Sequence, residues 1–241
     1  MFAMTRLDFV TLFPDMVLGA LGHSIAKRAA ESGACAYRAA NPRDFVFDRH
    51  RTVDDRPIGG GPGMVMMAPP VADALASLDP DPNAAVVLTD PTGYPFRQEH
   101  ARELAARPQV VFLCGHYEGM DHRVETELAT HVFSIGDFVM TGGEIAALAM
   151  ADAVVRLLPG VLGSPDSLSI DSHGDGLLSA PQYTRPREWR GIAVPEVLRS
   201  GDHAAVARWK RREALRLTRE RRPDLFARAS LDKRDVDMLS F

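Results

Sequence analysis

The apolar residues of this chain fall into short continuous runs separated by stretches of helical period. Arg6–Phe13 (RLDFVTLF) reads as a strand, and Pro14 opens a helix running towards Glu31. Ala85–Asp90 (AVVLTD), Val110–Gly115 (VVFLCG) and His131–Asp137 (HVFSIGD) are nearly unbroken apolar runs, too short for helices. Runs of that length fit strands buried on both faces. Arg97–Ala106, Asp121–Ala129 and Gly143–Leu158 carry the helical pattern between and after them. Strand–helix alternation predicts an α/β domain with a mostly parallel sheet. The turns PTG, GHYEGMD and GDFVMTGGE follow the three runs. In such a sheet they gather at the carboxyl ends of the strands, where ligands bind.

The pattern then stops. Pro159–Thr184 is rich in Gly, Ser, Pro and Asp and reads as a long loop. Beyond it, Pro195 opens a short helical piece and Ser200-Gly-Asp202 reads as a stop followed by a new N-cap. His203–Leu217 is a basic helix, Pro223 starts another and Ser230 caps a last one. The expected organisation is an α/β domain over 1–160, a linker over 161–182 and a basic all-helical domain over 183–241.

Composition sharpens this picture in two places. The 241 residues are 46% hydrophobic and 25% charged, enough for a full core. The net charge of −4 is unevenly spread. Residues 183–241 hold 15 Lys and Arg against 9 Asp and Glu, a net of +6, and the remainder carries −10. A basic appendage on an acidic body fits a polyanion partner or a solvated helical face. The two cysteines, Cys35 and Cys114, form no CxxC pair and no disulfide framework. With no signal-peptide pattern and no bilayer-length apolar stretch, the expected compartment is the cytoplasm.

Several chemistries are excluded outright. GxGxxG after a strand, GxxxxGK[ST], HExxH and GxSxG are all absent. Asp48, His50, Asp54 and Asp55 lie close together in sequence and could suggest a metal-dependent phosphoryl enzyme; interleaved Arg49, Arg51 and Arg56 favour local salt bridges instead. Gly59-Gly60-Gly61-Pro62-Gly63 resists regular structure, and with nearby arginines and methionines it suits an RNA or substrate contact.

Five segments together carry a resemblance: DDRPIGGGPGM (54–64), CGHYEGMD (114–121), SIGDFVMTGGE (134–144), PGVLG (159–163) and PQYTRP (181–186). In this order they resemble the bacterial tRNA (guanine-N1)-methyltransferases, which methylate guanine 37 beside the anticodon. The resemblance implies a SPOUT fold with a deep trefoil knot, S-adenosylmethionine as methyl donor, and a homodimer whose active site is shared between subunits. It places the donor at Pro91, Gly93, Gly115, Tyr117, Glu118, Ile135, Gly136, Asp137, Phe138, Val139, Met140, Gly142 and Gly143. The base corresponds to Asp171 and its arginine partner to Arg156. Contacts to tRNA are expected from Arg49, Arg51, Gly61, His116, Arg185, Arg208, Lys210, Arg211 and Arg212.

Two positions depart from the pattern. Many members have arginine where this chain has His116, and some have an acidic residue where it has Ile170. An acidic pair could hold Mg²⁺; with Ile170 in place, Glu118 is the acidic candidate that remains. The rival readings are a non-catalytic RNA-binding protein on the same fold and the metal-dependent phosphoryl enzyme.

Overall fold

A computed structural model describes residues 4–162 and 171–239. The chain divides into two compact units, 1–163 and 164–241. The first is built on a five-stranded sheet in the order β2-β1-β6-β5-β7, with every pairing parallel. Its strands are β1 (Thr5–Val10), β2 (Cys35–Ala40), β5 (Ala85–Pro95), β6 (Gln109–Cys114) and β7 (His131–Ser134). A two-residue antiparallel ribbon, β3 (Asp54–Asp55) with β4 (Val65–Met66), stands apart from it.

The continuous apolar runs serve both faces. Val110, Phe112 and Cys114 of β6 enter one core cluster, and Val111 and Leu113 enter the other. The first cluster is closed by α1 (Pro14–Leu21), α2 (Ser24–Glu31), α4 (Gln98–Ala105) and α6 (Glu144–Val155). The second is closed by α3 (Ala68–Ser77) and α5 (His122–Leu128). Apolar area removed from water on both sides of a sheet is the dominant favourable contribution to folding.

Three sequence expectations change here. The helix expected from Pro14 to Glu31 is two helices, because His23 is extended and Ser24 has φ +52°. Strand β2 and helix α3 were not expected. CAYRAA shows no alternation, and in APPVADALAS two prolines follow Ala68, where they occupy the first turn of α3. There the missing N–H costs nothing.

The second unit is helical. A hairpin, β8 (Glu188–Trp189) and β9 (Ile192–Ala193), turns through Arg190 and Gly191, both at positive φ as its two-residue turn requires. A single 3₁₀ turn, Glu196–Arg199, follows Pro195. Asp202 caps the long α7 (His203–Arg221) through the Ala205 N–H at 2.9 Å. Then come α8 (Pro223–Phe226) and α9 (Lys233–Leu239). The start of α9 is held by Asp232, which accepts from the Asp235 N–H at 2.8 Å, where Ser230 had been expected. Residues 171–182 form turns without helix or strand. Residues 163–170 of the linker, with Gly163 and Ile170 among them, lie outside the described residues.

Candidate active site

At the carboxyl end of the sheet the strands stop short and their turns meet. Pairing of β5 with β7 jumps at Thr89/Tyr94, so residues 90–93 bulge out of the ladder. Asp90 holds that bulge by accepting from Thr92 N–H at 2.8 Å and Thr92 Oγ1 at 2.7 Å. After β6, Tyr117 at φ +61° and Gly119 at φ +121° turn the chain back on itself. The third turn, after β7, runs back across it. His116 and Gly142 form an antiparallel bridge, and Gly143 N–H donates to Gly115 O at 2.8 Å. The three turns thereby enclose a cleft of about 380 Å³.

Its walls bring together most of the expected donor residues. Pro91, Gly115, Tyr117, Glu118, Ile135, Gly136, Phe138, Val139, Met140, Gly142 and Gly143 all line it. Gly93 and Asp137 stand outside the lining; a Cβ on Gly93 would come within 2.7 Å of the Phe133 backbone. The glycines differ in what they do. A Cβ on Gly143 would overlap Thr89 Oγ1 and lie 3.0 Å from Gly115 N. On Gly142 it would strike the His116 ring and lie 2.5 Å from Glu144 Oε2. Gly115 has ordinary room, with its nearest neighbour at 3.8 Å. Gly142 and Gly143 are therefore needed by the fold of the cleft, whereas Gly115 leaves space on the cleft side. A mostly apolar recess bounded by glycine-containing turns suits a planar, polar-edged ligand.

His116 sits in this cleft, among the donor residues. Its Nδ1 is buried and lies 3.7 Å from Glu144 Oε2, with no hydrogen-bond partner among the described residues. Glu144 is 2% exposed, accepts from Thr11 Oγ1 at 2.9 Å, and opens α6, where the helix dipole favours a negative charge. Sequence reasoning missed Thr89, Thr11 and Glu144; each is an unremarkable residue in a strand, a strand end or a GGE triplet, and only the fold places it below the cleft. Burial pushes up the thiol of Cys114, beneath the same turns, and that of Cys35, the latter to about 11. Both are free.

The segment carrying Arg49, Arg51 and Gly61 is tied to the cleft by backbone. Glu118 N–H donates to Met64 O at 3.0 Å, Met66 N–H to Gly119 O at 2.9 Å, and Asp121 N–H to Met66 O at 2.9 Å. Gly63, at φ +81°, packs where a Cβ would collide with Glu118. Arg43 spans the two segments, donating to Tyr117 Oη at 2.9 Å and to Arg51 O at 3.2 Å. Arg49 and Arg51 are exposed, as is Gly61. Asp48, a ligand in the phosphoryl-enzyme reading, is spent on its own loop. It accepts from Thr52 N–H and His50 N–H, and these bonds hold its carboxyl below the usual range. Among the described residues no group of three or more His, Cys, Asp or Glu could hold a metal ion.

Arg156 is the half-buried C-cap of α6, in the first unit. Asp171 is half-buried at the start of the described part of the second, where its carbonyl accepts from Gly174 N–H at 3.0 Å. On α7, Arg208, Lys210 and Arg212 are exposed. Arg211 is committed elsewhere, through a two-pronged bond to Asp235 at 2.8 and 2.7 Å and another to Asp175 at 2.6 Å. Arg185 is exposed beside the hairpin.

Comparison with known proteins gives this geometry a context. Residues 5–228 match the family model described as tRNA (Guanine-1)-methyltransferase TrmD. A protein of Geobacter sulfurreducens is 51% identical over 236 residues, covering 98% of this chain and 96% of its own. One of Gloeobacter violaceus is 54% identical over 221 residues, covering 91% and 97%, and one of Staphylococcus aureus is 47% identical over 234, covering 97% and 96%. All three are named tRNA (guanine-N(1)-)-methyltransferase. With its strand-end cleft, its glycine turns and near-complete coverage, the chain belongs to the tRNA (guanine-1)-methyltransferase family.

Proposed function

We propose that this protein methylates N1 of guanine 37 in tRNA, using S-adenosylmethionine. The observation that carries the reading is the strand-end cleft, where three turns meet and Gly142 and Gly143 leave no room for a Cβ. That cradle fits the donor: adenine can lie between the turns and be read at its edge by their amides and carbonyls. When bound, the donor supplies an electrophilic methyl group on a sulfonium. The bridge from His116 to Gly142, which brings the chain after β7 back over the end of β6, supports the knotted SPOUT reading.

The remaining chemistry belongs to the target base. Guanine N1 is protonated at neutral pH, so the proton must leave before N1 is nucleophilic. Asp171 takes that proton. A carboxylate of ordinary pKa near 3.9 is a weak base for so weak an acid, so the guanine must be made more acidic. Arg156 does this by stabilising the negative charge that gathers on O6. The acidic candidate for Mg²⁺ that the resemblance leaves is Glu118, on the cleft wall.

The protein works as a homodimer. Phe13, Met16 and Leu18 at the start of α1, and Ile145 on the adjoining α6, are exposed apolar side chains beside the cleft turns. Phe138 and Val139 on the third turn extend the patch; Val139 is 84% exposed. A second copy laid on this face would cover them and close the site. No helix among the described residues is long and apolar enough to cross a membrane. The cytoplasm, where tRNA matures, is the proposed compartment.

The test uses unmodified tRNA transcripts. Transfer should depend on guanine at position 37, and methylation that persists when that base is replaced overturns the substrate. Asp171→Asn keeps size and hydrogen-bonding reach but cannot accept the proton. It should bind donor and tRNA, lose about a hundredfold or more in transfer at neutral pH, and recover in part at high pH. Near-normal turnover would remove Asp171 from the mechanism.

A further inference from the structure

Some basic residues of the second unit are paired with carboxylates and others are not. Arg211, Arg216 and Arg222 are each paired with carboxylates at 2.6 to 3.0 Å. Arg185, Arg187, Arg199 and Lys210 make no side-chain hydrogen bond or ion pair among the described residues, yet all four line a single recess of about 360 Å³. No acidic residue lines it. Four like charges around one recess repel each other unless an anion is present. Its floor is apolar, from Val194 and Leu198, and one wall is Tyr183, which is 46% exposed. The Tyr183 ring is braced from behind by Trp209, centroid to centroid at 6.2 Å.

Phosphate-binding cations around an apolar, aromatic-walled recess match the chemistry of an unpaired nucleotide, whose base stacks while its phosphates are neutralised. A paired helix offers the phosphates but keeps its bases inside the stack. We propose that this recess takes an unpaired nucleotide of the tRNA, its base against Tyr183 and its flanking phosphates on Arg185, Arg187, Arg199 and Lys210. The inference rests on the reading of tRNA as substrate, but it concerns a site apart from the catalytic cleft. It also moves the expected RNA contact away from Arg211, whose charge is already neutralised by Asp235 and Asp175.

Binding of an unmodified tRNA transcript to the full-length protein, measured across a salt series, tests it. Arg187→Gln with Arg199→Gln should weaken binding and flatten the log–log salt dependence by about 1.4, at about 0.7 per single-stranded phosphate. Arg216→Gln with Arg222→Gln alters net charge equally but removes only paired arginines, and should leave the slope near wild type. Tyr183→Leu should weaken binding about tenfold through lost stacking, without changing the slope, while Tyr183→Phe should bind like wild type. Hydrogen exchange in α7 matching that of the wild type shows that the second unit of each variant is folded. Equal slopes for the two double variants, or wild-type affinity for Tyr183→Leu, would overturn the proposal. If the wild-type protein methylates tRNA while these variants bind normally, the recess reading alone fails; if the wild type does not methylate tRNA, the functional reading fails first.

Discussion

The two units of this chain are stabilised by different means. In the first, five parallel strands are covered on both faces, and Phe9 and Phe112 stack at 5.2 Å in a core without solvent access. In the second, few large apolar side chains are buried, chiefly Leu177, Leu215 and Leu217. Polar bonds carry more of the load there: Thr218, fully buried, accepts from Leu178 N–H at 2.9 Å, and Arg211 joins Asp235 to Asp175. Apolar burial is non-directional and insensitive to salt and pH, whereas charge pairs respond to both. The unit that holds the cleft should therefore be the more robust, and the basic unit the more responsive to its surroundings.

The sharpest way to break this contrast is to attack each unit at its own anchor. Phe112→Ala should cost about 3–5 kcal/mol of stability, read as a lower midpoint of denaturant unfolding followed by a first-unit probe. Arg211→Ala should cost about 2–3 kcal/mol, somewhat less than for a fully buried pair because Arg211 is a third exposed. Its loss should show first in α7 and α9, by hydrogen exchange, with donor binding retained. If the Phe112 change instead proves the milder of the two, the contrast is wrong.

Within the first unit, Gly143→Ala should cost about 1–3 kcal/mol through overpacking against Thr89 and should abolish donor binding. Gly115→Ala should fold like wild type, since its Cβ meets nothing nearer than 3.8 Å. Calorimetry then separates fold from ligand, because a binding defect in Gly115→Ala reports the donor itself. Equal unfolding midpoints for the two variants would contradict the packing described here.

The smallest effect is acid sensitivity. Arg211 holds the Asp235 carboxyl below its usual range. A carboxylate with a lower pKa folded than unfolded contributes stability that is complete above about pH 4 and is lost as pH falls through the folded value. The second unit should thus loosen below about pH 4 while the first persists, an order that circular dichroism and tryptophan fluorescence can follow, since Trp189 and Trp209 both lie in the second unit. Simultaneous loss of both units would count against it.

How much of this was legible in the sequence depended on whether a residue's role is local. Strands β5 and β6 announce themselves as apolar runs because both faces are buried. Strand β2 does not: it lies at the sheet edge, and its Arg38 bonds the buried Asp8 at 2.8 Å across the neighbouring strand, so a charge sits where a strand pattern expects none. The turns that line the cleft were legible because turns after the strands of a parallel sheet gather at one end of it, whereas their assignment to a donor came from the resemblance. The His116–Glu144–Thr11 contact joins residues more than a hundred positions apart, and nothing local marks it. Charge counting marked the basic tail but could not separate Arg211, which is neutralised, from Arg187, which has no carboxylate partner among the described residues. That distinction is a matter of which carboxylates the fold delivers.

The main-chain links that join the turns of the cleft have a practical consequence for anyone probing or inhibiting it. The stitch of Gly143 onto Gly115 and the bridge from His116 to Gly142 are made of atoms that every residue type possesses. Alanine scanning at lining side chains such as Tyr117 or Phe138 leaves these two links in place, so it does not probe them. Adding atoms, at Gly142 or Gly143, is the informative perturbation. By the same reasoning, a small molecule gripping those amides and carbonyls would face few escape routes, since the substitutions able to displace it are the ones that also collide with Thr89, His116 or Glu144.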